Sequence, residues 1–330
     1  MITIIFMLIF MFFVAAAVYV DILRYADKPA SAEPVKQVII VESGQKFKSL
    51  SEILHKKGVI RHPAKFRLFS RIKGHDKNIK AGEYVLSSTM TPKRILEIFV
   101  IGKVRLHRIT IPEGYNLRQV AQVVSRAGFG TQADFLKAAT NADLVHSKGI
   151  DAQTFEGYLF PDTYYFTKDA TPEKIISSMV KRFWSVFKPE WKNPAKTHGF
   201  TIHQVVTLAS IIEKEAGVAV ELPIISSVFH NRLKRKIRLQ SDPTVIYGIK
   251  NFNGNITRRD LAKKTPYNTY KIKGLPPGPI ANAGTKAIEA ALYPAKTRLL
   301  YFVSKKDNTH QFSTNIKDHN RAVRKYQLGH

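Results

Sequence analysis

Apart from Thr3, every position from Ile2 to Val20 is apolar or small, and only from Asp21 onward do charged positions interrupt the pattern. At about 1.5 Å of rise per residue, such a run has the length of a bilayer's hydrocarbon layer, so the pattern predicts one membrane-spanning helix over residues 1–20. Ala15-Ala16-Ala17 resembles a signal-peptidase site, but the apolar run is long for a signal peptide and no Lys or Arg precedes it. The anchor is therefore the preferred reading. Arg24 and Lys28 follow the helix and only the α-amino group precedes it, which leaves the orientation open. Residues 21–37, rich in Pro, Ala, Ser and charge from Ala26 to Lys36, read as an extended linker.

The next pattern occurs twice. Val38-Ile39-Ile40-Val41 leads through Gly44 to apolar positions Phe47, Leu50, Ile53 and Leu54 and ends at Gly58. With an offset of 70 residues, Ile109-Thr110-Ile111 leads through Gly114 to Leu117, Val120, Val123 and Val124 and ends at Gly128. Each copy predicts a short strand, a glycine turn and an amphipathic helix closed by a C-terminal glycine. Between the copies, Lys80 to Leu86 reads as a strand, and Thr91-Pro92 opens a helix through Ile95, Leu96, Ile98 and Phe99, with Thr91 as N-cap and Pro92 at the first helical position. Residues 38–103 thus form a strand-helix-helix-strand unit that resembles a LysM-like carbohydrate-binding module, although a small packing domain with no ligand would show the same pattern. Residues 104–330 form a larger second region, and the whole is predicted to be α+β.

Composition narrows the chemistry. With 330 residues, 44% of them hydrophobic, the chain can bury a substantial core in one or two domains. It contains no cysteine, which excludes disulfides, thiolate metal sites and a cysteine nucleophile. The formal charge of +27 suits anionic lipid or an anionic polymer. No nucleic-acid-binding motif is present, so nucleic acid is not the expected partner.

One helical run, Thr207-Leu208-Ala209-Ser210-Ile211-Ile212-Glu213-Lys214-Glu215, carries carboxylates into an apolar setting. Apolar surroundings disfavour the ionised carboxylate, so such a group can hold a proton near neutral pH and serve as a general acid. On a helical wheel Val205, Leu208, Ala209 and Ile212 form the buried stripe, with Glu213 and Glu215 on opposite flanks, about 160° to 200° apart. They cannot face each other, and periodicity alone does not choose between them. From Phe155 onward come short segments dense in aromatic, amide, Gly and Pro residues: Glu156 to Tyr164, Phe229 to Leu233, Leu239 to Gly248, Pro266 to Tyr270, Gly274 to Ile280 and His310 to Asn315. Aromatic faces stack on sugar rings while amides, Asp and Tyr meet hydroxyls, so the mixture fits a glycan-binding groove.

Taken in order, these six segments resemble the endolytic murein transglycosylase (MltG, YceG-like) family over nearly the whole chain. The resemblance implies a membrane helix, a LysM-like subdomain and an α+β catalytic domain. It makes the first glutamate of Glu-Lys-Glu, Glu213, the catalytic acid, with Glu215 in support. It implies contacts to substrate from Gln240, Asp242, Tyr267, Asn268 and Tyr270, and also from Glu156, Tyr158 and Asn282. Ala283 stands where the family usually has proline, which bears on loop rigidity near Asn282. The basic lead common in relatives is missing, which implies a short or truncated amino terminus.

The implied reaction has Glu213 protonate the oxygen joining N-acetylmuramic acid to N-acetylglucosamine and then take the proton of the muramic C6 hydroxyl as it closes a 1,6-anhydro ring, without water or cofactor. The expected partners are peptidoglycan strands, the membrane and the wall's glycan-synthesising enzymes, with the catalytic domain on the periplasmic or wall side of the bacterial cell membrane. Two other readings fit the residues. One is a hydrolase pairing Glu213 with Asp242 or Glu156, and the other is a wall-binding scaffold without turnover. Pyridoxal chemistry through Lys214 lacks a phosphate loop. The eleven histidines show no ligand spacing, so no metal is expected, and His310 and His319 read as hydrogen-bonding or surface residues.

Overall fold

The computed structural model describes residues 2–250 and 252–328 and divides the chain into two compact units. One comprises the chain up to His107 with Tyr165–Asp169, and the other Arg108–Tyr164 with the chain from Ala170 onward.

In the first unit, the apolar run is helix α1, Ile2–Ala26, which is long and apolar enough to cross a membrane and has none of its apolar window buried. The helix continues through Asp21–Ala26, into the stretch read as linker, because Ile22, Tyr25 and Ala26 are apolar on the side that meets the unit's core. Strand β1, Lys36–Val41, helix α2, Phe47–Lys56, helix α3, Pro63–Ile72, strand β2, Gly82–Ser87, and helix α4, Pro92–Ile101, follow in turn. This is the strand-helix-helix-strand order read from the sequence, with a further helix added. β1 and β2 pair antiparallel, Val38 opposite Val85 and Ile40 opposite Glu83. Alternation sends Ile39, Val41, Tyr84 and Leu86 into the core with Leu50, Leu54, Phe66 and Phe99. At α4, the Thr91 hydroxyl accepts the Arg94 N–H, Pro92 opens the helix, and Gly102 closes it at φ 78°.

The second unit begins in strand β3, His107–Thr110, and helix α5, Leu117–Arg126. α5 lies seventy residues after α2 end for end, so the repeat read from the sequence holds to the residue. Gly44 and Gly114, the turn glycines of the two copies, have φ 76° and 74°, in the region that favours glycine. Helices α6, Gln132–Ala139, and α7, Ala142–Ser147, lead to strand β4, Thr163–Phe166, which pairs with β3. Then come α8, Pro172–Val186, α9, Lys192–Thr197, α10, Ile202–Glu215, α11, Leu222–Lys234, α12, Asp242–Tyr247, α13, Arg258–Ala262, and α14, Thr285–Leu292. A hairpin of β5, Tyr301–Ser304, and β6, His310–Ser313, precedes α15, Ile316–Val323.

α10 is the axis of this unit. It is opened by a capping box between Thr201 and Gln204. The sequence pattern suggested a single buried stripe, but every residue from Val205 to Ile212 is buried, because α9, α11, α12 and α14 all pack on it. Its two internal hydroxyls are satisfied locally. Thr207 Oγ1 donates to His203 O at 2.7 Å, and Ser210 Oγ donates to Thr207 O at 2.7 Å while accepting the Ile280 N–H at 3.0 Å. The first turn, Ile202 to Gln204, and the last, with Glu213, Lys214 and Glu215, emerge from the core.

Candidate active site

The two glutamates at the end of α10 enter different surroundings, as the two-residue spacing requires. Glu213 Oε2 accepts the Gly284 N–H at 3.2 Å. Burial raises its pKa, and the neighbouring Glu113 carboxylate raises it further, while the Gly284 bond and Lys214 act the other way. Glu113 fills the space that a Cβ on Gly284 would occupy, so the glycine is what lets two carboxylates crowd one turn.

Glu215 faces a cavity of about 630 Å³. Its Oε1 accepts the Ser241 hydroxyl at 2.5 Å. Burial pushes its pKa up to about 7; the Ser241 hydrogen bond lowers it, Asp242 raises it and Arg232 lowers it. Gln240, Asp242, Tyr270, Arg232 and His310 line the same cavity. The Tyr270 hydroxyl donates to Asp242 Oδ1 at 2.7 Å. Gln240 is exposed with φ 51°, a left-handed conformation that costs a non-glycine residue about 1 kcal/mol, and its N–H donates to Thr269 O at 3.2 Å. The buried Arg232 is tied to backbone, with Nε donating to Leu300 O at 2.6 Å and one terminal nitrogen to Leu239 O at 2.7 Å.

A buried hydroxyl cluster holds this wall. Ser241 N–H donates to Thr269 Oγ1 at 2.9 Å, Thr244 Oγ1 donates to Ser241 O at 2.6 Å, and Thr244 and Thr269 share a bond of 2.9 Å. The Leu239-to-Asp242 segment is thereby fixed against the loop at 268–270, which sets the Ser241 hydroxyl toward Glu215.

Several residues expected to touch substrate are spent inside the protein. Asn268 is fully buried, its amide nitrogen within reach of the carbonyls of Asp260, Leu261 and Lys263 and its oxygen accepting the Tyr270 N–H at 2.9 Å. Asn282, also fully buried, donates from Nδ2 to Tyr115 O at 2.8 Å and accepts the Leu159 N–H at 2.9 Å, while its backbone exchanges bonds with Tyr115 O and Gly114 N. That loop is held by the asparagine itself, with Ala283 in place of proline. Tyr158 is core: its hydroxyl donates to His203 Nδ1 at 3.0 Å, and His203 Nε2 donates in turn to Pro277 O at 3.0 Å. Glu156 is buried at the start of α5, where it accepts the Leu117 N–H at 3.1 Å and the Tyr247 hydroxyl at 3.0 Å, and burial pushes its pKa up to about 7. All four are thus engaged with partners inside the protein and hold loop segments together. Tyr267 lies apart from the cavity, its ring 4.8 Å from Tyr247. The expected meeting of Glu213 with Gln240, Asp242 and Tyr270 is not found either; those residues gather round Glu215.

Ser241 and Arg232 lie inside segments the sequence marks, but nothing in the pattern singles them out. Glu113 sits in the second copy of the repeat, where it reads as a turn residue. Another cavity, of about 650 Å³, is lined by His198, His230, Asn231 and Tyr293 among others, and no carboxylate among the described residues lines it. It offers no acid, whereas the Glu215 cavity combines a protonatable carboxyl with exposed polar and aromatic groups, as acid-catalysed cleavage of a polar chain needs.

Known proteins resemble this chain over most of its length. Residues 39–325 match the family model described as the YceG-like family, and the chain belongs to that family. An endolytic murein transglycosylase of Bacillus subtilis is 37% identical over 305 residues, which cover 87% of this chain and 84% of that protein. One from Streptococcus pneumoniae is 30% identical over 334 residues, covering 89% of this chain and 59% of the longer relative. The crystal structure of a yceG-like protein from Listeria monocytogenes, 35% identical, covers 88% of this chain and 99% of its own with a TM-score of 0.60.

Proposed function

We propose that this chain is a membrane-anchored endolytic murein transglycosylase whose general acid is Glu215. The observation that carries the assignment is the Glu215 carboxyl, lifted to about 7 in a cavity shared with Gln240, Asp242 and Tyr270. An acid of that pKa is protonated for part of the population at neutral pH yet ionises readily after giving its proton away. Kinship with transglycosylases supplies the substrate class: the strand of alternating N-acetylmuramic acid and N-acetylglucosamine.

In this reading Glu215 protonates the oxygen leaving C1 of N-acetylmuramic acid, and the sugar's own C6 hydroxyl closes on C1 to give a 1,6-anhydro end. Because the nucleophile is intramolecular, the protein need only hold the ring and supply the proton, and effective molarity does much of the rest. Gln240, Asp242 and Tyr270 are among the polar side chains that line the cavity, and they would meet the sugar hydroxyls and N-acetyl groups. Ser241 keeps one Glu215 oxygen engaged, so the other carries the acid proton.

Glu213 is the second reading, favoured by its own raised pKa and by Glu113 beside it. Against it stands its placement at the Gly284 turn, away from the residues suited to sugar. The helix Ile2–Ala26 would fix the enzyme in the bacterial membrane with its second unit on the wall side, where nascent strands emerge beside the enzymes that polymerise them. Cutting there would limit strand length, and the first unit, built in LysM-like order, would add a grip on glycan.

The test is digestion of uncrosslinked glycan by the full chain in detergent, with products weighed by mass spectrometry. Fragments one water lighter than hydrolysis products support the reading. Water-added ends would make the protein a hydrolase, and binding without fragments a scaffold.

A further inference from the structure

The second unit holds a carboxylate-histidine pair that the assignment above does not use. Glu221, in the turn leading into α11, is buried and its partner largely so: both side chains are 10% exposed. Glu221 Oε1 accepts the His310 backbone N–H at 2.9 Å, and Oε2 meets His310 Nδ1 at 2.7 Å. A carboxylate can only accept, so Nδ1 carries a proton, and the neutral form of such a ring presents its lone pair at Nε2. Phe302 stands edge-on to the ring at 5.3 Å, fixing its plane. His310 is the first residue of β6 and lines the same cavity as Glu215.

The fold ties the pair to the end of α10. A Cβ on Gly217 would overlap the Asn308 carbonyl, so the turn of the β5–β6 hairpin sits directly on the chain leaving Glu215. Lys306 and Asn308 take φ 68° and 66° to make that turn. Glu215, Gly217, Glu221 and His310 thus belong to one packed body. Among the other titratable groups of the cavity, the charged side chains are committed, whereas, among the described residues, His319 Nδ1 is buried without a hydrogen-bond partner and no carboxylate orients its ring. Asp242 holds Tyr270, and Arg232 is spent on backbone carbonyls. His319 stacks on Tyr301 at 5.1 Å, and burial followed by the nearby Arg232 lowers its pKa. Of the two His310 ring nitrogens, Nδ1 holds Glu221 and Nε2 is the one left for a ligand.

We propose that His310 is the base of the reaction and Glu221 its positioning residue. The bond from C1 to the bridging oxygen breaks, and that oxygen takes the Glu215 proton. The C6 oxygen bonds to C1, and its proton passes to His310 Nε2. Solvent then returns the proton from His310 to Glu215, and no water is consumed. Two groups divide the proton work that a single carboxylate would otherwise do twice. The inference rests on Glu215 as the acid.

The experiment measures kcat and KM for anhydro-end formation on uncrosslinked glycan with the full chain in detergent, comparing wild type with H310A, H310N and E221Q. The E221Q side chain keeps the volume and can still accept the His310 backbone N–H, but its amide donates to Nδ1, which moves the ring proton to Nε2 and removes the lone pair from the cavity. All three variants are expected to lose about 10² to 10³ in kcat, the usual worth of a general base, with KM within about threefold. A kcat within about threefold of wild type in E221Q, or a loss residing in KM, overturns the proposal. E221Q decides alone if H310A fails to fold. Wild type lacking anhydro products, or E215Q retaining them, would instead overturn the reading of the acid.

Discussion

Replacing Glu215 by glutamine should abolish catalysis and, above neutral pH, stabilise the protein. The carboxyl is lifted from 4.5 to about 7, chiefly by burial. At 1.36 kcal/mol per pKa unit, the folded state is penalised by about 3 kcal/mol once the group ionises, and partial exposure trims this to about 2 to 3 kcal/mol. The folded pKa is the higher one. Below about pH 4.5 the group is protonated in both states and no penalty exists; between 4.5 and 7 the unfolded chain ionises first and stability falls; above 7 the full penalty is present. The amide of E215Q carries no charge and still accepts the Ser241 hydroxyl, so the variant escapes the penalty. The melting temperatures of E215Q and wild type should therefore agree near pH 4 and separate by roughly 5 to 10 °C at pH 8, taking about 2 to 4 °C per kcal/mol for a domain of this size. The assay is differential scanning fluorimetry of the full chain in detergent across that range. Coincident curves at pH 8, or a gap already present at pH 4, would mean the carboxyl is not held in the environment described. Glu156 is lifted to about 7 as well, but its effect is common to both proteins and cancels.

Other consequences are equally specific. Asp242 raises the Glu215 pKa, so D242N should move the alkaline limb of the kcat profile to lower pH, read from rates at several pH values, and an unmoved limb would refute the coupling. Asn282 makes two buried side-chain hydrogen bonds, each costing about 1 to 3 kcal/mol to break, so N282A should lose about 2 to 4 kcal/mol of stability by chemical denaturation, and a simple rise in KM without destabilisation would place it at the substrate after all. A truncation starting at Asp21 should keep the first unit folded, whereas one starting at Asp27 should cost about 3 to 5 kcal/mol, because Ile22 and Tyr25 belong to its core and each is worth about 1.5 to 3 kcal/mol. Proteolysis kinetics of the two purified forms would tell them apart.

Much of this architecture was legible in the chain. The repeat at an offset of 70 with its closing glycines Gly58 and Gly128, the cap at Thr91 and the run of α10 follow from local rules, in which spacing, a hydroxyl and a glycine act over one or two turns. The site was legible only in outline. Asn268, Asn282 and Gln240 sit in similar loops, yet two of these amides are consumed by backbone and one is exposed, a matter of depth that no pattern of neighbours encodes. The proposed preference for Glu215 over Glu213 rests on what stands opposite each flank of α10: the Gly284 turn in one case and the Ser241 segment in the other, both distant in sequence. Glu221 and His310, 89 residues apart, meet only because the β5–β6 hairpin returns to the chain leaving α10. Burial of all sides of α10 was missed because Thr207 and Ser210 look polar in sequence but turn their hydroxyls onto the helix's own carbonyls.

The most direct test of the account compares E215Q with E213Q on uncrosslinked glycan, with anhydro ends counted by mass spectrometry. The account predicts that E215Q forms none while remaining folded and able to bind glycan, and that E213Q retains a measurable fraction of wild-type cleavage. Full activity in E215Q together with loss in E213Q would contradict it, moving the acid to the Gly284 turn.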